Sequence, residues 1–128
     1  MILSIADTRH PNSLASKVRR KRFAFFKSLL AEIPRPLKIL DVGGTDAFWN
    51  DSDFLDDAGV GVTLLNVKFA GEGSSRVERV RGDARNLEWA DRSFDIVYSN
   101  SVIEHVGGAH EQRRMANEIR RVGRRYFV

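Results

Sequence analysis

The stretch ILDVGGTDAFW, Ile39 to Trp49, decides how this chain is read. An apolar run stops at an aspartate, passes through two adjacent glycines and then takes up large aromatic side chains. A short apolar run without polar alternation is the mark of a parallel strand covered on both faces, so Lys38 to Val42 is expected to be such a strand. In an open α/β sheet, ligands bind beyond the carboxyl ends of the strands, where the strand order reverses. Asp41, Gly43 and Gly44 are expected there. Glycine lets the backbone turn tightly and approach a ligand with no side chain between them. The aspartate offers a negative charge to a cationic group. A dinucleotide fingerprint requires G-x-G-x-x-G opening onto a helix. Here Gly44 is followed by Thr45, Asp46 and Ala47, and Asp46 would repel a phosphate.

Working outward, Pro11 to Ile33 has helical periodicity: Leu14, Val18, Phe25, Phe26, Leu29, Leu30 and Ile33 recur mostly at spacings of three and four. Asn12 or Ser13 is the expected cap, and Pro34 and Pro36 stop the helix. After the glycines, a loop and a helix are expected over Thr45 to Ala58, ended by Gly59. Apolar runs at Gly61 to Val67, Val77 to Arg81 and Phe94 to Tyr98 predict three further strands, with GEGSS at Gly71 to Ser75 as a loop. Ser101 to Val106 predicts a short helix carrying a capping box between Ser101 and Glu104. Ala109 to Val122 predicts a longer helix with a stripe of Met115, Ile119 and Val122. Tyr126 to Val128 reads as a strand just begun. Strands alternating with helices imply an α/β fold, a doubly wound Rossmann-like parallel sheet in three α/β/α layers. The expected division is a helical segment over 1–36 and the sheet-forming core over 37–128, within one domain. The sheet is expected to be truncated after its fifth strand, with further chain or a second copy, as in a homo-oligomer, completing the unfinished edge.

Composition bounds the rest. A chain of 128 residues with 42% apolar and 30% charged residues suits a globular protein with a real core. No apolar run approaches the ~20 residues of a membrane helix, and nothing in MILSIADTRHPNS argues for export. The absence of cysteine rules out disulfides and thiolate metal sites and fits a reducing, cytoplasmic setting. The net charge of +4 is concentrated: Lys17, Arg19, Arg20, Lys21 and Arg22, with Arg113, Arg114, Arg120, Arg121, Arg124 and Arg125, hold 11 of the 21 basic residues. Such clusters suit nucleic acid or an anionic surface. With no aromatic platform interleaved in either run, solvated helix faces are the favoured reading.

The ordered series ILDVGGT, LLNV and RGDARNLEWADRSFDIVYSNSVIEHV resembles the N-terminal part of a class I S-adenosylmethionine-dependent methyltransferase of type 11. The resemblance runs from Lys38 to Val128. It implies S-adenosyl-L-methionine as cofactor and methyl transfer to an acceptor of unidentified class. By the same resemblance, Asp41, Gly43 and Gly44 would cradle the methionine part, with Asp41 favouring its ammonium group. Asn66 stands where the family has an acidic residue for the ribose hydroxyls, a departure that gives up a charge-assisted bond. Asp83 would accept from the adenine amino group and the Ala84 N–H would serve a ring nitrogen, with Leu87 and Trp89 flanking the base. Ser99 and Asn100 would contact the methionine end.

His105 is the candidate general base, with a structural histidine as the alternative. No metal site is expected, since His105 and His110 do not share a helical face and HEQRR lacks the second histidine of H-E-x-x-H. Three other readings stay open: a non-catalytic or truncated cofactor-binding module, an NAD- or nucleotide-sugar-binding Rossmann protein, and a nucleic-acid-binding protein using the basic clusters.

Overall fold

The computed structural model describes residues 13–50, 52–100 and 102–128. The chain divides into two compact units, Met1–Ile33 and Pro34–Val128. In the first, helix α1 (Leu14–Leu30) is capped by Ser13, whose Oγ accepts from the Ser16 N–H at 3.1 Å. The alternative cap, Asn12, lies outside the described residues. Phe23, Phe26 and Leu30 form the buried face of α1, at spacings of three and four.

The second unit is built on a sheet of five parallel strands: β1 (Leu37–Val42), β2 (Val60–Asn66), β3 (Glu78–Arg81), β4 (Phe94–Tyr98) and β5 (Gly123–Phe127), in the order β3-β2-β1-β4-β5. Central β1 is buried at every position but Lys38, which explains its unbroken apolar run. The chain steps from β1 outward to β3, then returns to the other side of β1 for β4 and β5. The order therefore reverses between β1 and β4, and a crevice opens beyond their carboxyl ends.

Two helices cover opposite faces. Helix α3 (Ala109–Val122) lays Met115, Ile119 and Val122 against Leu40, Val42, Leu65 and Val97. Full burial of such side chains is worth about 1.5–3 kcal/mol each. On the other face, helix α2 (Asp46–Asn50) places Phe48 in a stack with Tyr98 at 6.0 Å, and Phe127 of β5 stacks on the far side of Tyr98 at 5.8 Å.

Three expected elements differ in detail. The helix over Thr45 to Ala58 is two pieces, α2 and a 3₁₀ turn at Asp53–Asp56, because Ser52 caps anew by accepting from the Phe54 N–H at 3.0 Å. Ser101 to Val106 forms a 3₁₀ turn at Ile103–His105 instead of an α-helix. Gly107, at φ +133°, breaks the chain after it. Ser101 of the expected capping box lies outside the described residues, and the cap position, Val102, makes no side-chain bond. The last strand starts at Gly123, three residues before the apolar signal.

One brace fixes the chain between β3 and β4 to α3. Arg121 donates to the carbonyls of Leu87 (2.8 Å) and Trp89 (2.7 Å), to Asp91 and to Glu118. Glu118 in turn accepts from the Leu87 N–H at 2.7 Å. A guanidinium supplies the five donors this requires. Replacing Arg121 by Met is expected to lower the thermal midpoint and to speed amide exchange over residues 86–92 several-fold, while Met115 and Ile119 stay protected. Hydrogen exchange read by mass spectrometry checks this.

Candidate functional site

The reversal of strand order creates a cleft of about 320 Å³. Its walls come from the ends of three strands and one turn: Val42 and Gly43 after β1, Leu65 to Val67 after β2, Gly82 to Arg85 after β3, and Val102, His105 and Val106 after β4. Five of the expected site residues thus meet in one place: Gly43, Asn66, Asp83, Ala84 and His105. Asp41, Gly44, Ser99 and Asn100 do not line it.

The floor is fixed by Asp41. Its side chain points to the α2 face, where Oδ2 accepts from the Trp49 indole N–H at 2.7 Å. The residue is only 2% exposed. Burial penalises the charged form and pushes the carboxyl up to about 7, against the smaller opposing effect of the Trp49 hydrogen bond. A Cβ at Gly44 would overlap this carboxylate, so glycine is required there for space. Gly43 is required for conformation as well: its φ is +84°, and a Cβ would run into the side chain of Val102 on the cleft wall. The Gly43 N–H donates to the Leu65 carbonyl at 2.7 Å, drawing the turn onto β2.

Asn66 ties the same turn from the other side. Its Nδ2 donates to the Gly44 carbonyl at 3.4 Å and its Oδ1 accepts from the Val67 N–H at 2.9 Å. A carboxylate has no N–H to donate, so the first contact depends on the amide. Beyond Asn66 lies a second hollow of about 760 Å³ between α2 and the helix-free crossover from β2 to β3, lined by Thr45, Ala47, Lys68 and Phe69. Asp46 and Arg79 pair beside it at 2.6 Å.

At the opposite wall, Asp83 accepts from the Arg85 Nε–H at 2.9 Å, from its Nη2 at 2.8 Å and from its backbone N–H at 2.8 Å. These bonds hold the Asp83 carboxyl down to about 2. Arg85, Val102 and Val106 were not singled out from the sequence. The valines belong to the apolar part of VIEHV, and Arg85 has only its two-residue spacing from Asp83 as a signal. His105 lies at the rim with its side chain 76% exposed and 3.9 Å from Glu104.

The remaining candidates sit deeper. Ser99 is buried, its Oγ donating to the Val42 carbonyl at 3.0 Å and its N–H to the Phe127 carbonyl at 2.9 Å, which joins the ends of β1, β4 and β5. Asn100 Oδ1 is shielded from solvent and has no hydrogen-bond partner among the described residues. Leu87 and Trp89 lie in and against the core instead of at the cleft, Trp89 meeting Phe94 edge to face at 5.1 Å.

Residues 55–126 match the family model described as a methyltransferase domain. The chain belongs to that family. Among curated proteins, none matches this methyltransferase domain. Among solved structures, it is similar to a protein of Pyrococcus horikoshii, at 22% identity and a TM-score of 0.61, covering 89% of this chain and 58% of that one. It is also similar to a SAM-dependent methyltransferase of Methanosarcina mazei, at 19% identity and a TM-score of 0.59, covering 76% of this chain and 52% of the other. These two likenesses establish the Rossmann-like fold. This methyltransferase domain therefore spans between half and three fifths of the length of those relatives.

Asp41 makes stability depend on pH. A carboxyl whose folded value is raised from 3.8 to about 7 contributes stability that is full below about pH 4 and is lost as pH rises through about 7. The depressed carboxyls, including Asp46, Asp83 and Glu118, act in the opposite sense and only at lower pH. Denaturant midpoints are expected to fall from about pH 5 to about pH 8, and Asp41→Asn, which keeps an acceptor for Trp49, is expected to flatten that slope. Urea unfolding across this range checks it.

Proposed function

We propose that this chain is the cofactor-binding part of an S-adenosylmethionine-dependent methyltransferase and that the cleft between Gly43, Asn66, Asp83 and Val102 holds the cofactor. The observation that carries this reading is the cleft itself, at the reversal of strand order in a chain of the methyltransferase domain family. The SAM-dependent enzyme of Methanosarcina mazei has the same fold.

The residues fit the cofactor's chemistry. Gly43 exposes backbone to the cleft where any side chain would be blocked by Val102. Asp41 is almost without solvent and, among the described residues, takes only the indole N–H as a side-chain donor; facing α2, it serves the cleft through the Gly43–Gly44 turn that it shapes. Asp83 holds its charge at neutral pH, and its carboxylate, 46% exposed, stays open to an exocyclic amine that shares an oxygen with Arg85. The Ala84 N–H is assigned to a ring nitrogen, and Val102 and Val106 give the apolar wall that a planar base packs against. Asn66 is assigned to the ribose with its second N–H and second lone pair, the first of each being engaged.

When bound, S-adenosylmethionine supplies an electrophilic methyl group on a sulfonium. The chain's residues then hold the reactants in line and keep water out, the main requirement when the reactive charge belongs to the cofactor. His105, at the rim, is assigned the proton released by an incoming nucleophile. Ser99 keeps the ends of β1 and β4 together, and Asn100, next in the chain, carries a side-chain oxygen shielded from solvent. The lack of cysteine agrees with a cytoplasmic setting. Among the described residues, no helix is long and apolar enough to cross a membrane.

Calorimetric titration with S-adenosylhomocysteine, with NAD in parallel, tests the reading without an acceptor. Saturable binding of S-adenosylhomocysteine alone is expected, weakened about tenfold or more in Asp83→Ala, as befits loss of a charge-assisted bond. Tighter binding of NAD, or no binding of S-adenosylhomocysteine by a folded sample, would overturn it.

A further inference from the structure

Asn66 stands at the junction of two spaces. It lines the cleft assigned to the cofactor and also the second hollow, of about 760 Å³, bounded by α2 and the crossover from β2 to β3. A ligand whose ribose lies at Asn66 therefore has open room beyond its hydroxyls. The adenosine of S-adenosylmethionine ends at those hydroxyls, so the cofactor leaves the hollow unused.

The ends of β2 and β3 carry positive charge beside this junction. Asn66 pairs with Arg81 in the parallel register. Two residues back on β3, Arg79 reaches Asp46 of α2, so strand alternation puts Arg81 on the α2 side of the sheet too. Lys68, two residues beyond Asn66, lines the hollow. Lys68 and Arg81 are both exposed, and among the described residues neither side chain makes an ion pair or a hydrogen bond.

The acidic residues of the hollow do not offset these two cations. Asp46, which alone would repel an anion, is neutralised by Arg79 at 2.6 Å and also accepts from the Ser74 N–H at 3.0 Å. Arg79 in turn donates to the carbonyls of Ala70, Gly71 and Glu72 and lies over the Phe69 ring, which folds the crossover into a wall. Among the described lining residues, Glu72 alone is left against Lys68 and Arg81.

In nucleotide-binding sheets of this build, a carboxylate beside the ribose selects a free hydroxyl, whereas an arginine nearby accommodates a phosphate. Asn66 removes the carboxylate that would repel a phosphate, and its second amide N–H can donate to one. Arg81 offers a guanidinium fork and Lys68 a compact ammonium, the two groups that bind phosphate oxygens.

We infer that the site takes an adenosine whose ribose carries a phosphate on its 2′ or 3′ oxygen, with the base in the cleft, the phosphate at the mouth of the hollow, and Lys68 and Arg81 on its oxygens. This rests on the reading that the cleft holds adenosine. Such a nucleotide occupies the same cleft as S-adenosylmethionine and therefore competes with it.

Direct calorimetric titration of the full chain with adenosine, its 2′-, 3′- and 5′-monophosphates, and S-adenosylhomocysteine tests this. At ~50 mM salt the 2′- or the 3′-monophosphate is expected to bind about tenfold or more tighter than adenosine and the 5′-monophosphate, and to weaken as salt rises, because both cations are exposed. The double variant Lys68→Ala, Arg81→Ala should abolish that advantage and leave adenosine and S-adenosylhomocysteine binding as they were. Asn66→Asp should reverse the advantage, making the phosphate less favourable than a hydroxyl, whereas a merely structural asparagine would weaken every ligand alike. Thermal melts show whether each variant folds. No gain over adenosine, equal binding of the 5′-monophosphate, or an advantage retained in the double variant would each overturn the inference. Binding of S-adenosylhomocysteine with no preference for the ribose phosphate overturns this inference alone. The preference without S-adenosylhomocysteine binding overturns the cofactor reading alone, and silence of every ligand overturns both.

Discussion

The carboxylate of Asp41, buried under Gly44 and bonded to the Trp49 indole, is the constraint on which the rest of the site depends. A charge out of water is costly unless it is partnered. Its position therefore dictates its neighbours. Trp49, the fourth residue of α2, must turn inward to donate. Residue 44 must lack a side chain, since any Cβ would overlap the carboxylate. The chain must then leave β1 through a positive φ at Gly43, and that turn presents backbone to the cleft. An apolar strand that stops at an aspartate and two glycines before aromatic residues therefore has one physical reason: these features meet around a single buried contact.

The other walls are held by contacts of a different kind. Asn66 ties the glycine turn to β2 through an amide N–H, and Arg85 folds back on Asp83 with four hydrogen bonds. Arg121 keeps the chain after Asp83 against α3. None of these groups is part of the apolar core, yet each fixes where a strand end meets the cleft. The sheet brings the strand ends near one another, and polar ties set their final positions.

Much of the fold was legible in the sequence because parallel strands are buried on both faces and so read as apolar runs: Leu37 to Val42 and Phe94 to Tyr98 are the clearest. β5 was seen only at its end, since an edge strand tolerates exposed Arg124 and Arg125 that hide its beginning. The break between α2 and the following 3₁₀ turn depends on Ser52 capping a new segment, and serine is too common for that to be read in advance. Of the residues at the cleft, Gly43 was legible through its place after a strand, Asn66, Asp83 and Ala84 through the family resemblance, and His105 as a candidate base. The inward turn of Asp41, the engagement of Ser99 with Val42 and the return of Arg85 onto Asp83 were not, because side-chain direction at a strand end is decided by partners distant in sequence. Leu87 and Trp89 went to the core for the same reason.

We propose that the cofactor sits in the cleft at the ends of β1, β2 and β3. Amide chemical-shift mapping by NMR during titration with S-adenosylhomocysteine tests it most directly. The account predicts saturable shifts at Gly43, Val67, Ala84, Arg85 and Val106, with Ala47 and Phe69 in the neighbouring hollow unmoved. Shifts centred on Ala47 and Phe69, with Gly43 and Ala84 silent, would contradict it.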